Sequence, residues 1–301
     1  MLAVTILGNN SAIPAFDRHP TAQVITLDDQ LFLIDCGEGT QTQMNKYKIR
    51  RSRINHIFIS HLHGDHYFGL IGLITSMGLL GRHQDLHLYG PAPLIDIFNL
   101  QLQVADTQLP YQLIFHPLQE EGMLVKENKF QVSCFKVFHR IECWGFIFRQ
   151  LRPPRRVNPE KARSAGVPAS FFDRLKWGEN YETQQAEIIL NESVTDPAPK
   201  AKSYAYSADT IYNPDIASKV QGVDLLYHET TYLKDLEERA GKRYHCTTVQ
   251  AASIAQMAGV GQLMIGHFSS KYDKLDEFEK EARVVFPNTI LAVEGVSFIV
   301  Q

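Results

Sequence analysis

The sequence predicts an α/β fold, and three observations carry that prediction. Short β-prone apolar runs alternate with helical stretches along most of the chain, turn residues separate them, and four of the runs end beside a histidine or an aspartate. The 301 residues, 44% hydrophobic and 21% charged, have the balance of an ordinary soluble globular protein and suffice for one large domain or two small ones. A chain of this length buries a substantial core without staples. The formal net charge of −3 excludes a general polycation, so any nucleic-acid binding must come from a local patch. Cys36, Cys134, Cys143 and Cys246 are scattered and lack CxxC spacing, which points to free thiols in a reducing compartment. The N-terminus has no basic leader, and the longest apolar tract, 69–81, is too short to span a bilayer. These features predict a cytoplasmic protein with no membrane association.

Taken in order, Val4–Leu7, Gln23–Thr26 and Leu31–Ile34 read as strands opening a sheet. The third ends in Asp35-Cys36-Gly37-Glu38-Gly39-Thr40-Gln41, a Gly-rich turn leading into a helix to about Tyr47. Ile54–Ser60 is the next strand, followed by a His/Asp loop and a helix from about Phe68. Leu86–Tyr89, Pro93–Gln103 and Gln112–His116 continue the alternation. Phe130–Phe138 reads as a strand ending at His139, with Gly145–Arg149 as a possible pairing partner. After residue 202, Tyr204–Ser207 and Leu225–Tyr227 read as strands, and Leu233–Ala240 as a helix. Thr248 is placed to cap a helix running to about Ala258. Leu263–Gly266, a helix over about 273–285 that stops before Pro287, and two final strands complete the chain.

Between Gln150 and about Lys202 the texture changes. Arg149 to Lys176 holds eight Lys or Arg against two acids, Glu160 and Asp173, with Pro153-Pro154 at one end and Pro197 and Pro199 at the other. The segment reads as an inserted arm rather than another sheet layer. A solvated surface excursion is the plainer reading of such a charge run. In an otherwise acidic chain, its arginine density favours an arm that meets phosphates.

The chemistry concentrates in Ser60-His61-Leu62-His63-Gly64-Asp65-His66. Neutral imidazole and carboxylate are ligands that borderline divalent metals such as zinc prefer. His61 and His63, two apart, share a face in an extended chain, while Asp65 and His66 point differently, so one loop can serve two metal positions. Gly64 is expected to allow the sharp turn between them. Apolar runs lead likewise into His139, Asp209 and His267, and strand ends on one sheet edge are where α/β folds build their sites. Alone, His139 or His267 reads as an edge histidine and Asp209 as a turn residue. Their repeated placement after apolar runs is what argues for a site.

These residues resemble the metallo-β-lactamase superfamily, with its HxHxDH motif, distal His, bridging Asp and final His. The resemblance runs essentially end to end and narrows to the ribonuclease Z family. Asp35 to Gln41 resembles that family's early signature, His228-Glu229-Thr230-Thr231 its HEAT-type motif, His245-Cys246-Thr247 its HST-type motif, and Ile265 to Tyr272 its last ligand region. The resemblance implies a four-layer αβ/βα sandwich, a single domain over 1–301 with the basic arm inserted at about 150–202. It implies two zinc ions per chain, one held by His61, His63 and His139, the other by Asp65, His66 and His267, with Asp209 bridging. It also implies that Asp65 orients or deprotonates the attacking water, and that Glu229 and His245 assist the departing oxygen, His245 as proton donor.

The substrate implied is precursor tRNA, cut on the 3′ side of the acceptor stem, with Thr247, Lys271, Arg152, Arg155 and Arg156 as candidate substrate contacts. A homodimer is implied too, one subunit's arm helping to hold tRNA for the other. Three positions depart from the family pattern. The arm has Gly166-Val167-Pro168 where a Gly-Pro pair is usual, Cys246 stands for serine, and Lys271 for arginine, which keeps the charge but loses the planar fork. The competing enzyme reading keeps the two metals but takes a small phosphodiester or another ester as substrate. A di-iron redox protein of the same superfamily would carry a carboxylate near His63 and need a flavin partner, and neither is evident. A non-catalytic scaffold would have lost ligands, yet all seven positions are filled.

Overall fold

The computed structural model describes residues 1–151, 153–198 and 200–301. Two seven-stranded sheets dominate it. The first has the order Ser297–Ile299, Leu2–Gly8, Ala22–Leu27, Gln30–Ile34, Ile54–Phe58, Leu86–Pro91, Leu113–Leu118. Its first half is antiparallel and its second half, from Gln30–Ile34 onward, is parallel. The second has the order Thr289–Leu291, Gln262–Gly266, Leu225–Glu229, Ser203–Ser207, Cys143–Gln150, Phe130–Val137, Gly122–Lys126, and its first four strands are parallel. Parallel neighbours need crossovers, and helices supply them.

Side-chain alternation explains the layers. Leu33, Ile57, Ile59 and Leu88 face a cluster with Met44, Leu70, Leu73, Met77 and Phe98 of the crossover helices Thr40–Lys46, Leu70–Leu79 and Leu94–Val104. Phe32 and Phe58 point the other way, onto Phe146 and Phe148 of the second sheet, with ring centroids 5.3–5.6 Å apart. Helix Thr248–Ala258 is the main cover of the second sheet's other face. The result is the expected αβ/βα sandwich.

Several boundaries differ from the sequence reading. The loop after Ile54–Phe58 is partly helical, with a turn at Gly64–Tyr67 that carries Asp65 and His66. Gly64 has no left-handed backbone, and a Cβ there would meet the exposed Phe68 ring at 2.2 Å, so any other residue would have to turn that ring aside. Likewise Gly37 lets the early Gly-rich turn lie against the backbone of Asp65, where a Cβ would be 2.4 Å from its carbonyl. Thr247, not Thr248, caps Thr248–Ala258. Its side chain accepts from the Gln250 amide in a reciprocal capping box, a Thr-x-x-Gln pattern visible in the sequence. The expected Leu233–Ala240 helix is a 3-10 turn at Lys234–Leu236 followed by Glu237–Arg243, whose acidic first turn and basic last turn suit the helix dipole. The last helix starts later, at Asp276, for the same reason.

The described residues form two compact units. One comprises Met1–Lys126, Val132–Phe148 and Lys202–Gln301, the other Glu127–Gln131 and Arg149–Ala201. The second unit has two two-stranded ribbons, Arg156–Val157 with Thr195–Asp196 and Tyr181–Glu182 with Ile188–Ile189. Helices Pro159–Ser164, Phe172–Lys176 and Asn191–Val194 enclose a core of Ala162, Val167, Leu175 and Val194. Pro159 opens its helix where the missing N–H costs nothing, and the Asn158 side chain accepts the Lys161 amide. Val167, in the stretch that lacks the Gly-Pro pair, is one of those core residues.

Candidate metal centre

The seven expected ligands, contributed by strand ends and turns of the first unit, converge at one place. His61 Nε2 lies 3.0 Å from His63 Nδ1, and His139 Nε2 lies 3.1 Å from the same atom. Asp209 Oδ2 is 3.7 Å from His61 Nε2 and 3.9 Å from His139 Nε2. The other Asp209 oxygen, Oδ1, faces a second group, 3.2 Å from His267 Nε2 and 3.5 Å from His66 Nε2. Asp65 Oδ2 closes that group at 3.4 Å from His267 Nε2 and 3.6 Å from His66 Nε2. Asp209 thus turns one oxygen to each cluster.

A second layer of hydrogen bonds aims the rings. Asp35, fully buried, accepts from Ser60 N at 2.7 Å, Ser60 Oγ at 2.9 Å and Tyr206 Oη at 2.6 Å, and sits 2.8 Å from His66 Nδ1. A buried carboxylate persists only when its oxygens are satisfied in this way. The His139 Nδ1–H donates to Tyr244 O at 2.9 Å, and Thr231 Oγ1 lies 2.9 Å from His267 Nδ1. Such partners fix ring orientation around a metal. His267 itself sits at φ 61, a left-handed conformation unusual for a side chain of its size and concentrated at functional sites. Asp65 is anchored from outside by the Ala12 amide, 2.7 Å from Oδ2.

The electrostatics suit cation binding. Burial first, then neighbouring imidazoles, push the pKa of His61 well down and that of His63 down to about 4, so both are neutral near pH 7. His139 shifts down by burial as well, against the pull of Asp209. Burial disfavours charge on Asp209, yet His267 and His66 hold its carboxyl well below the usual range. Asp209 Oδ1 is buried and makes no hydrogen bond. In the first group the neutral nitrogens of His61, His63 and His139 turn on one another beside Asp209. In the second, Asp209, Asp65 and Asp35 push the pKa of His66 well up against burial, a concentration of negative charge that a divalent metal would also satisfy.

Next to the clusters, His245 Nδ1 lies 3.3 Å from Glu229 Oε1. Glu229 is fully buried and accepts from Cys246 N at 2.7 Å, Thr231 N at 2.9 Å and Thr231 Oγ1 at 2.8 Å. Burial opposes charge on His245, but Glu229 and Asp209 outweigh it and push the ring up to about 9. His245 also lines a cavity of about 610 Å³ that opens over Asp65, His63, His139 and Asp209.

The remaining expected contacts fall elsewhere. Thr247 has no exposed surface and its hydroxyl serves the helix cap. Lys271 is exposed, its ammonium 5.5 Å from the Tyr272 ring centroid. In the second unit Arg156 is exposed, while Arg155 Nε donates to Thr195 Oγ1 at 2.7 Å. Arg152 lies outside the described residues. Asp35, Ser60, Thr231 and Ala12 were missed as site residues. For Asp35 a signal existed, because it too follows an apolar strand, Gln30–Ile34.

A sandwich of this topology, with paired His/Asp clusters between its sheet edges, defines a metallo-β-lactamase-fold protein. Solved structures agree on the fold. The short form of human tRNase Z matches with a TM-score of 0.72 and 24% identity over 99% of both chains. A metallo-β-lactamase-fold protein from Bacillus subtilis matches at 0.70 with 20% identity over 99% of this chain and 100% of that one. A family model described as anti-Pycsar protein Apyc1 matches residues 2–150, just under half of the chain.

Relatives over nearly the full length are more specific. Ribonuclease Z of Bacteroides fragilis is 43% identical over 97% of this chain and 96% of its own. That of Bacteroides thetaiotaomicron is 41% identical over 98% and 94%. The chain belongs to the ribonuclease Z family.

Proposed function

We propose that this protein is an endoribonuclease that hydrolyses the phosphodiester joining a 3′ trailer to precursor tRNA, using two zinc ions. The observation that carries the reading is Asp209, whose two oxygens face two ligand groups in a chain related to ribonuclease Z over nearly its whole length. His61, His63, His139 and one Asp209 oxygen would hold one ion, and Asp65, His66, His267 and the other oxygen the second. Bound there, such ions polarise a phosphate and lower the pKa of the attacking water.

The chain's own groups divide the rest of the work. Asp65, ionised because His66 and His267 outweigh the penalty of burial, is oriented by the Ala12 amide to take a proton from that water. His245, charged by its pairing with Glu229, lines the cavity and protonates the departing oxygen. Glu229 is a positioning residue, since its oxygens are committed to backbone amides and Thr231. The arm supplies Arg152, Arg155, Arg156 and Lys161 for phosphates, and Lys271 adds a cation beside the last ligand. A cytoplasmic homodimer, with one subunit's arm reaching RNA held by the other, completes the proposal. No helix among the described residues is long and apolar enough to cross a membrane.

The test is to incubate the purified protein with a 3′-extended precursor tRNA and map the ends. One cut beside the acceptor stem, abolished by a chelator and restored by zinc, is expected. An intact precursor in the presence of zinc contradicts the reading.

A further inference from the structure

The cavity over the His/Asp clusters carries three guanidinium groups that the mechanism above does not use. Arg140, Arg239 and Arg243 all line it, and all three residues are exposed. None forms an ion pair with a carboxylate among the described residues. The basic side chains around them differ. Lys242, on the same helix Glu237–Arg243, is paired with Glu238 at 2.5 Å. Two stripes therefore run along this helix. Residues 238 and 242 neutralise each other, whereas residues 239 and 243, also four apart and so about 6 Å apart at Cβ, leave two unneutralised cations on the cavity side.

Arg239 is braced rather than spent, its guanidinium carbon lying 5.7 Å from the centroid of the Tyr232 ring. Arg140 Nη2 lies 3.2 Å from His63 Nε2. That neighbour is an imidazole and not a carboxylate, so the contact leaves the charge of Arg140 without a counter-ion.

Unpaired arginines grouped at the mouth of a cavity in an acidic protein call for an anion, and the guanidinium fork matches a phosphate with two parallel hydrogen bonds. We propose that Arg239 and Arg243, with Arg140 beside them, form a phosphate subsite for the RNA strand flanking the scissile bond, separate from the arm. It rests on the reading that the substrate is a polynucleotide. The two helix arginines take consecutive phosphates of one strand and hold it as it enters the cavity.

The experiment compares Arg239→Gln/Arg243→Gln with the parent and with Lys242→Gln, which removes one charge from the paired stripe. Steady-state cleavage of precursor tRNA is measured over a range of salt. For the double variant KM is expected to rise at least about tenfold with kcat little changed, and the slope of log(kcat/KM) against log salt to flatten by about 1.4, two contacts at about 0.7 each for a single strand. Arg239→Lys/Arg243→Lys should restore the slope while recovering only part of the affinity, because Lys keeps the charge without the fork. A double variant that matches Lys242→Gln in KM and slope overturns the subsite. If the parent itself fails to cut precursor tRNA, the functional reading fails. The subsite is then decided by fluorescence anisotropy with a short single-stranded RNA, where the same flattening supports it and an unchanged slope overturns it.

Discussion

The His/Asp cluster and the unit containing residues 149–201 are stabilised in opposite ways. In the cluster, His66 faces Asp35, His139 faces a backbone carbonyl and His267 faces Thr231, all in a region almost closed to solvent. The smaller unit rests chiefly on four buried apolar residues and on exposed pairs such as Arg174 with Glu179 and Lys176 with Asp173, with one buried polar link in which Asn191 donates to Leu175 O and accepts from Thr195. Exposed pairs contribute little. A reaction that needs several groups at fixed distances requires the first kind of construction, whereas contacts with a polyanion tolerate the second. Substitutions in the cluster should therefore act on turnover, and substitutions in the arm on binding.

The largest effect is expected at the shared carboxylate. Asp209→Ala removes a donor from both groups and should empty both positions, with turnover on precursor tRNA falling at least about 10³-fold; elemental analysis beside single-turnover kinetics reads both. Asp65→Ala should lower turnover far more than RNA affinity. A variant at either position that loses affinity but keeps kcat would erase the contrast between cluster and arm.

Next in size is His245→Gln, expected to cost about 10²–10⁴-fold in kcat while leaving most metal in place. The same pair makes a prediction for the metal-free protein. The folded pKa of His245, about 9, lies above its unfolded value of about 6.5, so the stability it contributes is fully present below 6.5 and is lost as pH rises through 9. Denaturant titrations of the two metal-free proteins should show their stability difference shrinking across that window. A difference that is constant with pH contradicts the His245–Glu229 pairing.

In the arm, replacing Arg155, Arg156 and Lys161 with Ala should leave metal content unchanged, weaken precursor tRNA binding and flatten the salt plot by about 2–3. Arg155 is expected to contribute least, because its Nε already serves Thr195. Binding and salt slope equal to those of the parent would reduce the arm to a solvated insertion.

The smallest effect belongs to Thr247→Ala, which removes a helix cap and should cost about 1 kcal/mol of stability with little change in RNA affinity. Lost affinity at unchanged melting temperature would return Thr247 to the substrate.

Much of this contrast was legible before any coordinates, for a physical reason. Strands Ile54–Phe58 and Gln262–Gly266 carry the short apolar runs Ile57-Phe58-Ile59 and Leu263-Met264-Ile265, and the polar residues that follow each run lie at the sheet edge where sites form. His61, His139, Asp209 and His267 announce themselves in this way. Asp35 does too, but its partner Tyr206 is 171 positions away, so its role depends on packing that no local pattern encodes. The arm's two-residue strands are too short to show a period, and the helix Glu237–Arg243 gives no sign from sequence of which stripe faces the cavity. Gly64 read as a turn glycine, but its backbone is not left-handed, and its close neighbour is the Phe68 ring, which the following helical turn brings back onto it.

The most direct test of the account is a metal count. Gently purified protein, and protein titrated with zinc after chelation, should both hold close to two ions per chain, with His66→Ala or His267→Ala losing mainly one. A single tightly bound ion, with no second site on titration, would contradict the claim that Asp209 joins two ligand groups into one centre.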